Sequence, residues 1–216
     1  MICCLLIEQQ VYRKLILLAI LDIFLYEETL VKGKIMFIQT EETPNPESLK
    51  FLPGRVVIEN GTYNFTHNEK ACESILAESL LAVEGVAQVF FGYDFITVTK
   101  QTDFQWSTLK PYILTRIMDH FISGQPVLSE KTSQTQVFDD ADPVVNQIRE
   151  LIETRVRPAV AMDGGDIIFN RFEDGIVFLE MRGSCSGCPS STATLKSGIE
   201  NMLKHYVPEV NEVRAI

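Results

Sequence analysis

Residues 165–195 read GDIIFNRFEDGIVFLEMRGSCSGCPSSTATL. Two apolar runs, Ile167–Phe172 and Ile176–Arg182, flank Glu173-Asp174-Gly175, and an Asp-Gly pair between such runs signals a hairpin. Gly183-Ser184-Cys185-Ser186-Gly187-Cys188-Pro189 follows the second run directly. A helix comes next, with Leu195, Ile199 and Leu203 on one face, and Tyr206-Val207-Pro208 stops it. Val210–Ala215 supplies a last strand. Strand, hairpin, cysteine loop, helix and strand together predict a small α+β unit.

Cys185 and Cys188 carry the chemistry. Two intervening residues let both sulfurs point at one centre, and Gly187 relieves the backbone between them. Pro189 suits a first helical turn, where its missing N–H costs nothing. The positive helix terminus favours thiolate, the form that binds metal. A soft metal centre wants four ligands, and this pair supplies two. There is no second Cys-x-x-Cys, and His205 lies well down the helix. A second copy of the chain across a twofold axis completes four thiolates, enough for one [4Fe-4S] cluster. A cluster shared between subunits on a loop is labile, which suits a carrier. Two other readings fit the same pair: a dithiol/disulfide redox site, and a structural zinc shared across a dimer. Against the redox reading, the pair follows a hairpin rather than a βαβ unit.

Upstream, Asp142-Pro143 is a helix start, with Asp as cap and Pro in the first turn. Val145, Ile148, Leu151, Ile152 and Val156 form an apolar stripe, and Arg157-Pro158 ends or kinks the helix. Asp163-Gly164-Gly165-Asp166 reads as a tight turn capped by its aspartates, with a cation site as the alternative. This second domain spans 143–216. Ser129–Asp142, SEKTSQTQVFDDAD, has no apolar period and holds four acids against one base, and we read it as a flexible acidic linker.

Residues 36–128 form a first α+β domain. Phe37–Thr40 and Ser48–Leu52 are short strands separated by Thr43-Pro44-Asn45-Pro46. Arg55–Glu59 extends the second of them up to the Asn60-Gly61 turn. Asn68–Val83 reads as a helix with Cys72 beside its apolar stripe. Val86–Tyr93 and Phe95–Lys100 read as a hairpin, and Trp106–Gly124 as a second helix. No glycine-rich phosphate loop, paired catalytic carboxylates or Cys/His pair occurs here. His67 and His120 read as surface or capping residues, and Cys72 as a small buried apolar group. The domain reads as a binding or positioning module. The fold class is therefore two small α+β domains joined by a linker.

Composition bounds the rest. The 216 residues carry a net charge of −10, which argues against nucleic acid as a partner. Five cysteines are too sparse for a secreted disulfide scaffold, and their odd number leaves a thiol unpaired. Residues 1–35 form an apolar leader whose run Leu15–Tyr26 is too short to span a membrane. It lacks a small-residue cleavage site and the Arg-rich character of a transit peptide. We read it as an upstream extension, with Met36 as the natural start.

Both halves resemble one known family. Arg157-Pro158, Asp163-Gly164-Gly165-Asp166, the Gly183–Ser191 loop, Thr194-Leu195-Lys196 and Gly198-Ile199-Glu200 closely resemble the C-terminal domain of NifU-like proteins. Phe37–Glu41, Thr43-Pro44-Asn45-Pro46, Leu49–Gly54 and Val89–Lys100 resemble the N-terminal domain of Nfu-type proteins. The resemblance implies an iron–sulfur cluster scaffold or carrier, not an enzyme. It implies that Cys185 and Cys188 ligate a cluster bridging a homodimer, which is then passed to apo-protein clients. It also implies upstream cluster-assembly partners and a client-binding role for the first domain. No membrane partner is expected. A start at Met36 matches the bacterial form of the family, so the expected location is bacterial cytoplasm, with the mitochondrial matrix as the eukaryotic alternative.

Overall fold

Strand alternation and helix periodicity build two sheets, each backed by helices. In the computed structural model of the chain, the residues described are 37–67, 73–128, 142–187 and 189–216. The leader 1–35, Cys72, Cys188 and linker residues 129–141 lie outside them, so the readings made there fall outside the structure described.

The first module orders its elements as β1 (Gln39–Glu42), β2 (Ser48–Leu52), β3 (Tyr63–Thr66), α1 (Ile75–Leu81), β4 (Val86–Phe91), β5 (Ile96–Lys100) and α2 (Trp106–Ser123). The strands form one antiparallel sheet in the order β1-β2-β5-β4-β3. Leu49, Phe51, Ile96 and Val98 point from adjacent strands onto Leu76 and Leu80 of α1 and Leu109, Ile113 and Ile117 of α2. In β4 the inward residues are Val86, Val89 and Phe91, which a strict period of two does not join. A bulge between Val86 and Gln88 shifts the phase by one and puts all three on the helix side.

Three details differ from the sequence reading. The described part of the first helix begins at Ile75, because the Ser74 hydroxyl accepts the Ala77 N–H at 3.1 Å and caps it there. Ile75 consequently faces solvent. Arg55–Glu59 is not strand; the edge strand opposite β1 is β3, which follows the Asn60-Gly61 turn. His120 is buried on the apolar face of α2 rather than at the surface, and its Nε2 has no hydrogen-bond partner among the described residues. His67 Nε2 lies 2.9 Å from the Val86 carbonyl oxygen.

Burial holds the His120 pKa below its ordinary 6.5. The folded chain therefore keeps His120 neutral where the unfolded chain would protonate it. This contribution is present above pH 6.5 and is lost as pH falls through the folded value. Urea midpoints should decline from about pH 7 to 5, and His120→Leu should flatten that decline. An equal decline in both proteins would contradict the assignment.

The second module comprises α3 (Pro143–Leu151), a π-turn (Ile152–Val156), α4 (Arg157–Met162), β6 (Gly165–Glu173), β7 (Ile176–Gly183), α5 (Pro189–Tyr206) and β8 (Glu212–Ala215). The Asp142 carboxylate caps α3 by accepting the Val144 N–H at 2.9 Å. Arg157-Pro158 does not end the helix. Pro158 offers no N–H and crowds the carbonyl four residues back, so the chain widens by one π-turn, in which the Arg157 N–H reaches the Ile152 carbonyl. A four-residue step overshoots a turn of α-helix and falls short of a π-turn. The wide turn therefore resets the drift, and Ile148, Ile152, Val156 and Val160 all stay buried.

β6 and β7 pair antiparallel around Asp174-Gly175, and β8 joins β7 in parallel. A parallel neighbour needs a crossover, and α5 provides it. Val177, Leu179 and Met181 alternate inward from β7 against Ile199 and Leu203 of α5. Both modules lie within one compact unit, Phe37–Ile216. No described helix is long and apolar enough to cross a membrane.

Candidate functional site

The cysteine loop leaves β7 at Gly183, whose positive φ of 63° turns the chain out of the sheet. Successive turns follow: the Cys185 N–H reaches the Arg182 carbonyl at 3.3 Å, and the Ser186 N–H reaches the Gly183 carbonyl at 3.1 Å. Ser184 ties the loop to the Asp163–Asp166 turn. Its N–H donates to the Gly164 carbonyl at 3.2 Å and its hydroxyl to the Asp163 carbonyl at 2.6 Å. The amides of Ser184 and Ser186 are thus engaged within the protein. Thr192 of α5 closes the other side, its hydroxyl donating to the Cys185 carbonyl at 3.1 Å.

Cys185 is a free thiol, 5% exposed. Its sulfur rests against Gly165, where a Cβ would overlap Sγ and come within 2.8 Å of the Arg182 carbonyl oxygen. Only glycine fits there, so one of the two glycines in the Asp163–Asp166 turn makes the seat for the thiol. The sequence predicts a thiolate favoured by the helix N-terminus. The structure reverses that: burial pushes the Cys185 thiol up to about 12, and the nearby Asp163 and Asp166 add to it. A hydrogen bond with Ser184 opposes the rise but does not overcome it.

Asp166 is committed elsewhere. It is 3% exposed, and Arg157 grips it with two bonds, Nε to Oδ1 at 2.7 Å and Nη2 to Oδ2 at 2.8 Å. The Ile167 N–H and the Thr62 hydroxyl complete its shell at 2.8 and 2.7 Å. Arg157 also meets Glu153 one turn earlier, and the two carboxylates hold its pKa above the ordinary guanidinium value. The cation reading of this turn is therefore set aside, since Arg157 already occupies the Asp166 carboxylate. Among the described residues, no three His, Cys, Asp or Glu side chains converge as a metal-ligand group. The donor chemistry nonetheless suits an iron–sulfur centre, because a soft thiol sits in a turn that backbone and glycine define.

Sequence reasoning missed the partners of this site in the first module. Lys50 donates to the Met162 carbonyl at 2.9 Å, Thr97 to the Gly164 carbonyl at 2.6 Å and Asn45 to the Ser186 carbonyl at 3.1 Å. No local signal pointed to them, since each reads as the polar side of a strand or turn.

Comparison with known proteins now adds to the geometry. Residues 38–124 match the family described as "Scaffold protein Nfu/NifU N terminal", and residues 148–214 match "NifU-like domain". A Drosophila simulans protein named "NFU1 iron-sulfur cluster scaffold homolog, mitochondrial" is 53% identical over 184 residues, which cover 84% of this chain and 65% of that protein. Its Drosophila willistoni namesake is 51% identical over 191 residues, covering 87% and 66%. The chain thus spans about two thirds of the length of these relatives. A solution structure of a NifU-like protein from Saccharomyces cerevisiae aligns with a TM-score of 0.41 at 25% identity, covering 44% of this chain and 87% of that one.

Proposed function

We propose, proceeding from the premise that this chain belongs to the Nfu/NifU scaffold family, that it is a carrier of iron–sulfur clusters. Two chains meet at their cysteine loops, and Cys185 and Cys188 of each supply the four thiolates of one labile [4Fe-4S] cluster. The observation that carries this is the Cys-x-x-Cys loop, with the Cys185 sulfur seated on Gly165. Client thiolates then replace the carrier's thiolates one at a time, an associative ligand exchange. No substrate bond is broken, so the role is not enzymatic.

The high pKa of Cys185 bears on loading. In the cluster-free chain the thiol keeps its proton near neutrality, and iron must displace that proton as it binds. Loading therefore releases protons, and it proceeds from a chain whose thiol is shielded from oxidants. The relatives are named as mitochondrial, which supports the mitochondrial alternative over the bacterial cytoplasm expected from the sequence. Cluster-assembly proteins upstream and apo-proteins downstream are the partners this role requires.

Native mass spectrometry after anaerobic reconstitution with iron and sulfide tests the proposal. The expected species is a dimer heavier by one four-iron, four-sulfide unit. A bare monomer, or a dimer holding zinc alone, would overturn it and favour the redox or structural-zinc reading of the same pair.

A further inference from the structure

Strand alternation sends Lys50 of β2, Thr97 of β5 and Phe90 of β4 to the side of the sheet away from α1 and α2. An antiparallel sheet with one covered face leaves such residues in water. Here Lys50 is 7% exposed, and Thr97 and Phe90 are fully buried. Both faces of this sheet are covered, and the second cover is the cysteine loop with its supporting turn.

The contacts are complementary in kind. The supporting turn and the loop present carbonyl oxygens at Met162, Gly164 and Ser186, and the first module presents a donor to each from Lys50, Thr97 and Asn45. Thr62 adds a donor to Asp166. Phe90 packs against Gly183, where a Cβ would come within 2.8 Å of its ring. Glu41 stands 3.4 Å from the Lys50 ammonium, and the Phe95 ring lies 4.9 Å from it, so the buried charge is matched on the first module itself. One of these bonds reaches the loop backbone itself, at Ser186 next to Cys185, and the others reach the supporting turn at Met162, Gly164 and Asp166. Two of the four, from Thr97 and Asn45, are neutral hydrogen bonds that water can replace when the interface opens.

We propose that the first module is an intramolecular clamp on the cysteine loop. It holds the loop closed in the cluster-free chain and releases it before a second copy brings up its own loop. The first statement stands on the contacts above; the second rests also on the cluster-bridging reading.

The test uses the full, metal-free chain. Thr97→Asp sets a carboxylate against the Gly164 carbonyl, two acceptors with no donor between them, whereas Thr97→Ser keeps the donor. Cys185 labelling by iodoacetamide is read by peptide mass spectrometry, alongside backbone hydrogen exchange over residues 183–187. Labelling in Thr97→Asp should rise about tenfold or more, with faster exchange in the loop and unchanged protection in the β6–β7 ladder. Thr97→Ser should behave as the unaltered chain. Unchanged labelling in folded Thr97→Asp would overturn the clamp. If circular dichroism shows that variant unfolded, Lys50→Met keeps the alkyl stem and removes only the charge and donor. A smaller rise is then expected, and no rise would overturn the proposal. No iron enters this measurement, so failure of cluster bridging and failure of the clamp are read separately.

Discussion

Replacing either Cys185 or Cys188 with alanine should abolish cluster binding and leave the fold in place. On the proposed reading each chain brings two thiolates to a centre with four irons. Loss of one per chain removes half of the protein ligands at once, and no remaining described side chain stands in for them. Alanine is the right replacement, because serine would keep an oxygen capable of ligating iron. The structural cost is small. Cys185 packs in the second core beside Met181 and Ile199, and truncation there removes a single sulfur, about 1 kcal/mol. Iron and acid-labile sulfide per chain measure the first effect, and far-ultraviolet circular dichroism the second. Retention of cluster by either variant would refute the ligand assignment. Loss of cluster together with loss of helical signal would show that the thiol is structural instead.

The second large effect concerns Arg157. Its guanidinium holds Asp166 with two parallel bonds, and the Asp166 side chain is only 5% exposed. Arg157→Ala leaves that carboxylate buried with only the Thr62 hydroxyl and the Ile167 N–H as donors. Breaking one partner out of such a pair costs about 3–5 kcal/mol, because the charge that remains has lost both its water and its counter-ion. Arg157→Lys should recover only part of this, since an ammonium cannot span both carboxylate oxygens. Urea unfolding of the single variants, and of Arg157→Met combined with Asp166→Leu, separates the pair from its members. The double variant should be more stable than Arg157→Ala. A loss below about 1 kcal/mol in Arg157→Ala would mean that water reaches Asp166 and that the pair behaves as a surface one. Asp166 adjoins Gly165, so the same substitution should also weaken cluster retention.

Much of the molecule is legible in the sequence alone. The β6–β7 hairpin followed from apolar runs around Asp174-Gly175, and the α2 boundary from Gly124, which adopts φ 67° at the C-cap. Local chemistry decides such features, and local sequence records it. The errors share a cause as well. Pro158 reads as an end or a kink because proline breaks the regular bond pattern, and a π-turn decides between them, absorbing the proline and keeping the buried stripe in phase. His120 reads as polar and therefore exposed, whereas its position on the stripe of Leu109, Ile113 and Ile117 buries it. The thiol of Cys185 reads as acidified by a helix terminus, whereas desolvation decides its protonation.

By itself the sequence determined two α+β units, the order of their elements apart from β3, and the loop that carries Cys185 and Cys188. Periodicity specifies one buried face for each strand or helix, and spacing specifies which ligands are near in the chain. Neither can specify a second buried face. That Lys50, Thr97 and Asn45 meet carbonyls of Met162, Gly164 and Ser186 depends on groups 112, 67 and 141 residues apart in the chain. Only the packing of one module on the other converts those polar positions from solvent-facing to buried. The same packing satisfies the supporting turn and the loop, because their donors lie in a sheet the local sequence never sees.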